Sequence, residues 1–208
     1  MRYDKCMQPT SLPCNLVLLP EPALAERAMQ LSQRLAHHGT YFTLKHGEYF
    51  PHLSLYMTQL KIDDLPRVSA LLEEIAAQNQ RLTLSASDYN QSFGFIDVAY
   101  ARTTALDSLQ ASVIETINPI RDGMRQRDKA RLQTAKGLTL HNLQTYGYSY
   151  VGELFRPHIT ITRLTRDGEI STEGLPLVAS FSGAFPKLGL FEMGDHGTCV
   201  RKIAEFVL

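Results

Sequence analysis

PHLSLY, residues 51–56, and PHITIT, residues 157–162, are one short pattern written twice. Each has a proline, a histidine, and a hydroxyl residue two places further on, with bulky aliphatics between. Alternate side chains of a strand point to opposite faces. As strands, these stretches put His52 with Ser54 on one face and Leu53 with Leu55 on the other. His158, Thr160 and Thr162 are likewise set against Ile159 and Ile161. The aliphatics can anchor each strand in a core while histidine and hydroxyl are presented together on the opposite side.

The likeness extends upstream. GEYFPHLSL begins at Gly47 and GELFRPHITI at Gly152, the second with one extra residue, Arg156. The copies lie about half a chain apart, too far for a solenoid repeat, so a duplicated half-domain is the natural inference. Two lobes related by a pseudo-twofold would bring the two strands face to face across one cleft. Histidine gains or loses a proton near neutral pH. A pair of them across a cleft suits a general base and a general acid, and the hydroxyls suit the oxygens of a phosphate. In-line attack at phosphorus needs no more than that. No carboxylate cluster at metal-ligand spacing lies near either motif, so neither a metal nor a cofactor is expected.

Around the motifs the chain alternates short apolar runs with amphipathic stretches. CNLVLLP (14–20) reads as a buried strand. From Pro22 a helix follows, with Leu24, Ala28, Leu31 and Leu35 on one face and His37, His38 and Gly39 at its end. Residues 52–60 read as a strand and 61–80 as a second helix, with Asp63 as its cap and Pro66 in its first turn. RLTLSASDY and GFIDVAYA read as strands joined around NQSFG. A third helix runs from Thr104, where Thr104 and Asp107 resemble a capping box. RPHITITRL, VASFSGAF, KLGLFEM and TCVRKIAEFVL read as strands. The expected class is α+β with mostly antiparallel sheet. The expected arrangement is one bilobal domain over 1–208, its lobes meeting at a central cleft with helices outside.

The chain has 208 residues, with 21 Lys+Arg against 21 Asp+Glu. That balance excludes a generally basic nucleic-acid coat, so phosphate binding must be local. Cys6, Cys14 and Cys199 form neither a disulfide framework nor a CxxC pair, which favours a reducing compartment. CNLVLLP is too short for a signal peptide's apolar region, and no run approaches a membrane span. A cytoplasmic monomer with no membrane association is expected.

His52-Leu53-Ser54-Leu55 and His158-Ile159-Thr160-Ile161 resemble the paired His-x-Ser/Thr motifs of the 2H phosphoesterase superfamily. That group includes 2′-5′ RNA ligase-like proteins and 2′,3′-cyclic nucleotide phosphodiesterases. Arg163 matches the arginine that follows second motifs of the HLTLAR type, although strict alternation would turn it away from the His158 face. The resemblance implies a bilobal α+β fold with a metal-independent site between the lobes. It implies His52 and His158 as the catalytic pair, and Ser54 and Thr160 as phosphate contacts. Phe50, Phe155 and Tyr56, beside the motifs, are further candidates. The partner implied is a nucleotide or RNA carrying a 2′,3′-cyclic phosphate or a 2′-5′ linkage. Hydrolysis is the leading expectation. End joining by the reverse reaction, and nucleotide binding without turnover, are the alternatives.

The stretch from Pro119 to Gly152 is long for that superfamily and reads as an insertion (119–152). Within it, 121–136 carries Arg121, Arg125, Arg127, Lys129, Arg131 and Lys136 against Asp122 and Asp128. A solvated helix face explains such a run; an arm for an RNA backbone is the functional alternative. YGYSY would put Tyr146, Tyr148 and Tyr150 on one strand face, as packing or as a base-stacking platform. His46, His141 and His196 have no partner pattern and read as surface or capping histidines.

Overall fold

A computed structural model describes residues 9–208; Cys6 lies outside them. The chain opens with β1 (Ser11–Leu19), a run of buried aliphatics, and enters α1 (Pro22–Leu35) through a proline whose missing N–H costs nothing in the first turn. Leu24, Ala28, Leu31 and Leu35 are all buried. A 3₁₀ turn, Ala36–His38, and Gly39 at φ 78° end the helix. Then comes β2 (Leu53–Lys61), which carries the first motif.

A 3₁₀ turn at Ile62–Asp64 precedes α2 (Leu65–Ala77), so the helix starts later than expected. Asp63 does not cap it. Asp64 holds the N-cap position without a side-chain cap bond. Pro66 sits at the second helical position, where it removes one of the N–H groups a cap would serve.

Three strands follow: β3 (Leu82–Leu84), β4 (Ala86–Ser92) and β5 (Phe95–Tyr100). α3 (Thr104–Ile117) is capped by Thr103, whose Oγ1 accepts from the Leu106 N–H at 3.2 Å. The expected box is one residue late, and Asp107 instead receives Arg102 Nε at 2.9 Å. The insertion forms α4 (Gln126–Arg131) and α5 (Gly137–Tyr146). β6 (His158–Arg163) carries the second motif. VASFSGAF is mostly a 3₁₀ turn, Val178–Phe181, with only β7 (Gly183–Phe185) as strand. β8 (Lys187–Met193) and β9 (Cys199–Val207) complete the chain.

Seven strands form one sheet in the order β4-β5-β6-β2-β1-β8-β9, and β3 pairs with β7 apart from it. Every pairing is antiparallel. The fold is therefore α+β with antiparallel sheet. The motif strands do not face each other from two sheets; they lie edge to edge at the middle of one. They share a single register pair, Leu53 with Ile159. The groups on either side of that pair are not the two halves of the sequence, because β8 and β9 join β1 and β2. The helices interlock them further: α1 packs against β6, α3 against β2, and α2 against β8 and β9. Leu53, Leu55, Ile159 and Ile161 belong to one core. Among the described residues no helix is long and apolar enough to cross a membrane.

Each motif strand has a β-bulge directly after its hydroxyl residue. On β2, Val17 pairs with Ser54 and Leu16 with Tyr56, so Leu55 is the extra residue. On β6, Asp97 pairs with Thr160 and Ile96 with Thr162, so Ile161 is the extra residue. A bulge bends its strand and sharpens the local twist. Two bulges at equivalent places accompany the separation of β2 and β6 after one pair. The backbone freed in the gap is served by side chains and by the insertion. Gln110 of α3 donates from Nε2 to the carbonyls of Leu55 (3.1 Å) and Tyr150 (2.9 Å), and the Asp122 N–H donates to the Gln59 carbonyl at 2.7 Å.

Gln110 is buried, so replacing it with leucine strands two carbonyls. Gln110→Leu is expected to lower stability by about 1–3 kcal/mol in urea denaturation, the usual cost of unsatisfied buried polar groups. A loss below about 0.5 kcal/mol, the range of neutral surface changes, would show that the gap does not depend on this plug.

Candidate active site

The pair Leu53–Ile159 fixes the neighbouring positions: His52 lies opposite Thr160, and Ser54 opposite His158. Side chains so related have Cβ atoms roughly 5 Å apart. Each histidine thus faces the other motif's hydroxyl, not its own. His52 and Thr160 line one narrow cleft, walled by Phe50, Phe42, Tyr49 and His196.

The two imidazoles are held alike. His52 Nδ1 donates to the Phe50 carbonyl at 2.7 Å, and His158 Nδ1 to the Arg156 carbonyl at 2.6 Å, each two residues back along the chain. A carbonyl only accepts, so Nδ1 carries the proton in both rings. Each Nε2 therefore carries the ring's lone pair.

The surroundings then differ. Beside the first motif stands Asn15 of β1, fully buried. Its Nδ2 donates to Ser54 Oγ at 2.9 Å and lies 3.2 Å from His52 Nε2. Ser54 accepts from Asn15, which leaves its own O–H free to donate. Beside the second motif stands Asp97 of β5, paired in register with Thr160. Burial pushes the Asp97 carboxyl up, against the charge of His158 and the hydroxyl of Thr160, which pull it down. His52 is driven down to about 4, first by burial and in part by the charge of His158, despite its bond to the Phe50 carbonyl. One histidine therefore sits neutral beside an amide, and the other has a carboxylate for a neighbour.

The bulges decide what else reaches the cleft face. After each extra residue the alternation changes phase. Tyr56 turns into the core, where its hydroxyl donates toward the Tyr146 carbonyl at 2.7 Å and Asn118 Oδ1 at 3.0 Å. It is therefore not a cleft residue. Met57 takes the cleft face of β2 and Arg163 the same place on β6, so strict alternation is the wrong guide to Arg163. Its Nη1 donates to His196 Nδ1 at 2.8 Å. Phe50 lies 5.0 Å from Phe191 and walls the cleft. Phe155 is buried in the core beneath Arg102, with no place in the cleft wall.

His196, expected as a surface or capping histidine, stands in the β8–β9 connection with a left-handed backbone, φ 60°, and lines the cleft. No pattern in the sequence marks it; only the adjacent Gly194 and Gly197 signal a turn. His46 instead lies 3.6 Å from Glu26 at the surface, and His141 is exposed on α5. Cys14 and Cys199 are buried free thiols, and burial pushes Cys14 up to about 12. Among the described residues no three His, Cys, Asp or Glu side chains cluster as metal ligands would.

The basic segment is not simply a solvated face. Arg125 is buried, donates from Nε to Asp128 at 2.7 Å, and puts Nη1 3.1 Å from Met57 Sδ and 3.3 Å from Met193 Sδ. The insertion thus docks beside the cleft face of β2. The tyrosines of YGYSY do not share a strand face. Tyr146 ends α5, and Gly147, left-handed at φ 67°, turns the chain into a loop.

An antiparallel α+β sheet with a His-x-Ser/Thr motif on each of two adjoining central strands defines a LigT-like architecture, the one expected from the 2H phosphoesterase resemblance. The apo structure of E. coli LigT matches 95% of this chain and 98% of its own, with TM-score 0.57 and 13% identity. E. coli LigT complexed with 3′-AMP matches with TM-score 0.53 and 15% identity over 95% and 98% of the two chains. TT0787 of Thermus thermophilus matches with TM-score 0.58 and 15% identity, also over 95% and 98%. The chain itself belongs to the family described as "Protein of unknown function (DUF1045)", whose model matches residues 59–183. That span takes in the insertion and the second motif. No curated protein matches the sequence.

The depressed His52 gives stability a pH dependence. The unfolded chain binds a proton near the ordinary value of 6.5, whereas the folded chain binds it only near 4. Stability from this group is therefore full above about 6.5 and falls as pH drops from there to about 4. The loss amounts to roughly 3 kcal/mol at 1.36 kcal/mol per unit. His52→Asn, which keeps an N–H beside the Phe50 carbonyl, is expected to flatten that limb in denaturation curves at pH 4 to 7. An unchanged slope would place the titration elsewhere.

Proposed function

We propose that this protein is a phosphodiesterase that opens a 2′,3′-cyclic phosphate or cleaves a 2′-5′ linkage in a nucleotide or RNA, using two histidines and no metal. The observation that carries it is the register about Leu53–Ile159, which sets two Nδ1-protonated imidazoles and two hydroxyls around one point of the sheet. E. coli LigT has been solved in complex with 3′-AMP and with ATP, which supports a nucleotide-type substrate.

The asymmetry supports one assignment of the roles. His52, neutral at physiological pH with its lone pair on Nε2, is the base: it takes a proton from water as the water oxygen attacks phosphorus. The bond from phosphorus to the leaving oxygen breaks, and His158 protonates that oxygen from Nε2. Asp97, in register with Thr160, stands beside this acid. Ser54, its oxygen already held by Asn15, donates its proton to a phosphate oxygen. Thr160 serves the same group from the opposite strand, where charge develops in the transition state. Exchange with solvent returns His52 to neutral and His158 to its charged form.

His52→Ala and His158→Ala are each expected to lower kcat/KM on adenosine 2′,3′-cyclic phosphate by on the order of 10²-fold or more. The double variant should lose much less than the product of the two. A substrate with a very good leaving group should largely rescue His158→Ala and leave His52→Ala inactive. Rescue of His52→Ala instead would reverse the two roles. Activity should persist in EDTA. Loss in EDTA with recovery on adding a divalent cation, or near-normal turnover by both single variants, would refute the mechanism.

A further inference from the structure

CNLVLLP is apolar but for one residue, Asn15. Asparagine is depleted in strands, and a buried one needs partners. Asn15 stands in β1 between Met57 of β2 and Phe191 of β8, and it is fully buried. Leu16 and Leu18 go into the main core. Asn15 and Val17 take the other face, the one that carries Ser54 and His52. Asn15 Nδ2 is within reach of both of those motif residues, at 2.9 Å from Ser54 Oγ and 3.2 Å from His52 Nε2.

The hydrogens of this cluster follow from its acceptors. His52 Nδ1 gives its proton to the Phe50 carbonyl, so Nε2 of the neutral ring is bare. A bare nitrogen pairs with an N–H and not with a carbonyl oxygen, which turns Nδ2, not Oδ1, to the ring. The two N–H bonds of one amide then serve two motif atoms, Ser54 Oγ and His52 Nε2. Asn15 Oδ1 is left buried with no hydrogen-bond partner. A stranded buried oxygen lowers stability, and an asparagine placed for packing alone gains nothing in return. Here the histidine and the serine set the orientation of the amide, at the expense of its own oxygen.

We propose that Asn15 is a positioning residue of the two-histidine centre: its single NH₂ group keeps His52 Nε2 a proton acceptor and leaves the Ser54 O–H to the substrate. The inference rests on the phosphodiesterase reading above and adds to it a control on the base from outside both motifs. With Asn15 donating to its oxygen, Ser54 cannot spend its own hydrogen on that amide, and the O–H is free for a phosphate oxygen. A proton on Nε2 would set donor against donor, so the amide opposes protonation of the ring before the substrate arrives. It acts in the same sense as the burial and the His158 charge that bring His52 down to about 4. The 3.2 Å contact is the longer of the two and yields to the attacking water, while the 2.9 Å bond keeps Ser54 aimed. The other titratable groups around His52 are His158 of β6, with Asp97 of β5 beyond it, and His196 of the β8–β9 connection, with Arg163 behind it. Cys199 of β9 lies beside Asn15.

The test uses Asn15→Asp and Asn15→Leu, which leave all of those groups in place. Asn15→Asp keeps the shape and puts a carboxylate oxygen where the N–H was, an acceptor for a proton on Nε2. The His52 titration, followed by ¹⁵N NMR of the imidazole, should then move up by about one pH unit or more, the scale of a carboxylate beside an ionisable group. The base must be neutral to act, so the acid limb of kcat/KM on adenosine 2′,3′-cyclic phosphate should move up with it. Asn15→Leu keeps much of the volume and loses the N–H. It should lower kcat by about tenfold, the scale of one hydrogen bond, and move the limb less than Asn15→Asp does. A His52 titration unmoved in Asn15→Asp overturns the inference, as does a kcat for Asn15→Leu within about twofold of wild type. Should neither variant fold, the wild-type protein decides. At pH 7 its His52 should carry the proton on Nδ1, and the side-chain amide hydrogens of Asn15 should be protected from exchange. A proton on Nε2, or freely exchanging amide hydrogens, overturns the inference. If the cyclic phosphate is not hydrolysed, the phosphodiesterase reading fails, and the His52 titration still judges Asn15.

Discussion

Two β-strands that part company after one pair of residues make the site possible. Leu53 and Ile159 meet at the centre of the sheet. Their side chains go into the core on one face, and the histidines and hydroxyls flank them on the other. Had β2 and β6 continued as an ordinary ladder, the surface there would be a flat row of alternating side chains. The bulges at Leu55 and Ile161 bend both strands away instead. The divergence opens a concavity where the motif side chains are, and it exposes backbone polar groups that must find partners. Gln110, Asp122 and the loop after α5 answer that need. Site and scaffold thus follow from one departure from regular pairing.

The same departure marks the limit of what the amino-acid sequence reveals. Alternation within PHLSLY and PHITIT correctly separates His and hydroxyl from the aliphatics, because those residues precede the bulges. Past Leu55 and Ile161 the alternation inverts, and so Tyr56 and Arg163 exchange the faces that strict periodicity gives them. Bulges inside apolar strands leave no compositional mark here: Leu55 and Ile161 are residues any buried strand would hold. Helices are legible from their buried stripes. Their starts are less so, because Pro66 and Thr103 decide them locally. Asn15 and Asp97 sit in neighbouring strands, visible as site residues only once strand order and register are known. His196 comes from a hairpin at the far end of the chain.

The two motifs are equivalent by backbone and inequivalent by environment. Both imidazoles give Nδ1–H to the carbonyl two residues back, so the local chain alone orients each ring. The strand on the outer side of each motif then contributes a different side chain, an amide in one case and a carboxylate in the other. Asn15 and Asp97 are nearly the same shape, yet one cannot carry the charge the other can. That exchange alone makes two equivalent backbone positions electrostatically different, since burial and the nearest charge act on any ionisable group beside them.

The bulges also place Met57 and Arg163 at corresponding positions of the two motifs, and the correspondence shows what the insertion contributes. Arg163 carries its own charge onto the cleft face. Met57 carries none, but its sulfur lies 3.1 Å from the Arg125 guanidinium, delivered from α4. That guanidinium is already committed to Asp128 and buried. It therefore fills space beside the first motif without adding net charge. Arg127, two residues on, has no such partner among the described residues. The charge beside the cleft is consequently lopsided: the Arg125 guanidinium by Met57 is paired with Asp128, whereas among the described residues Arg163, bonded to His196, has no ion-pair partner. A symmetric two-histidine centre would accept a symmetric ligand in either orientation. One flanked by positive charge on a single side would favour, for a ligand with unequal charge at its two ends, the orientation that sets the more negative end there.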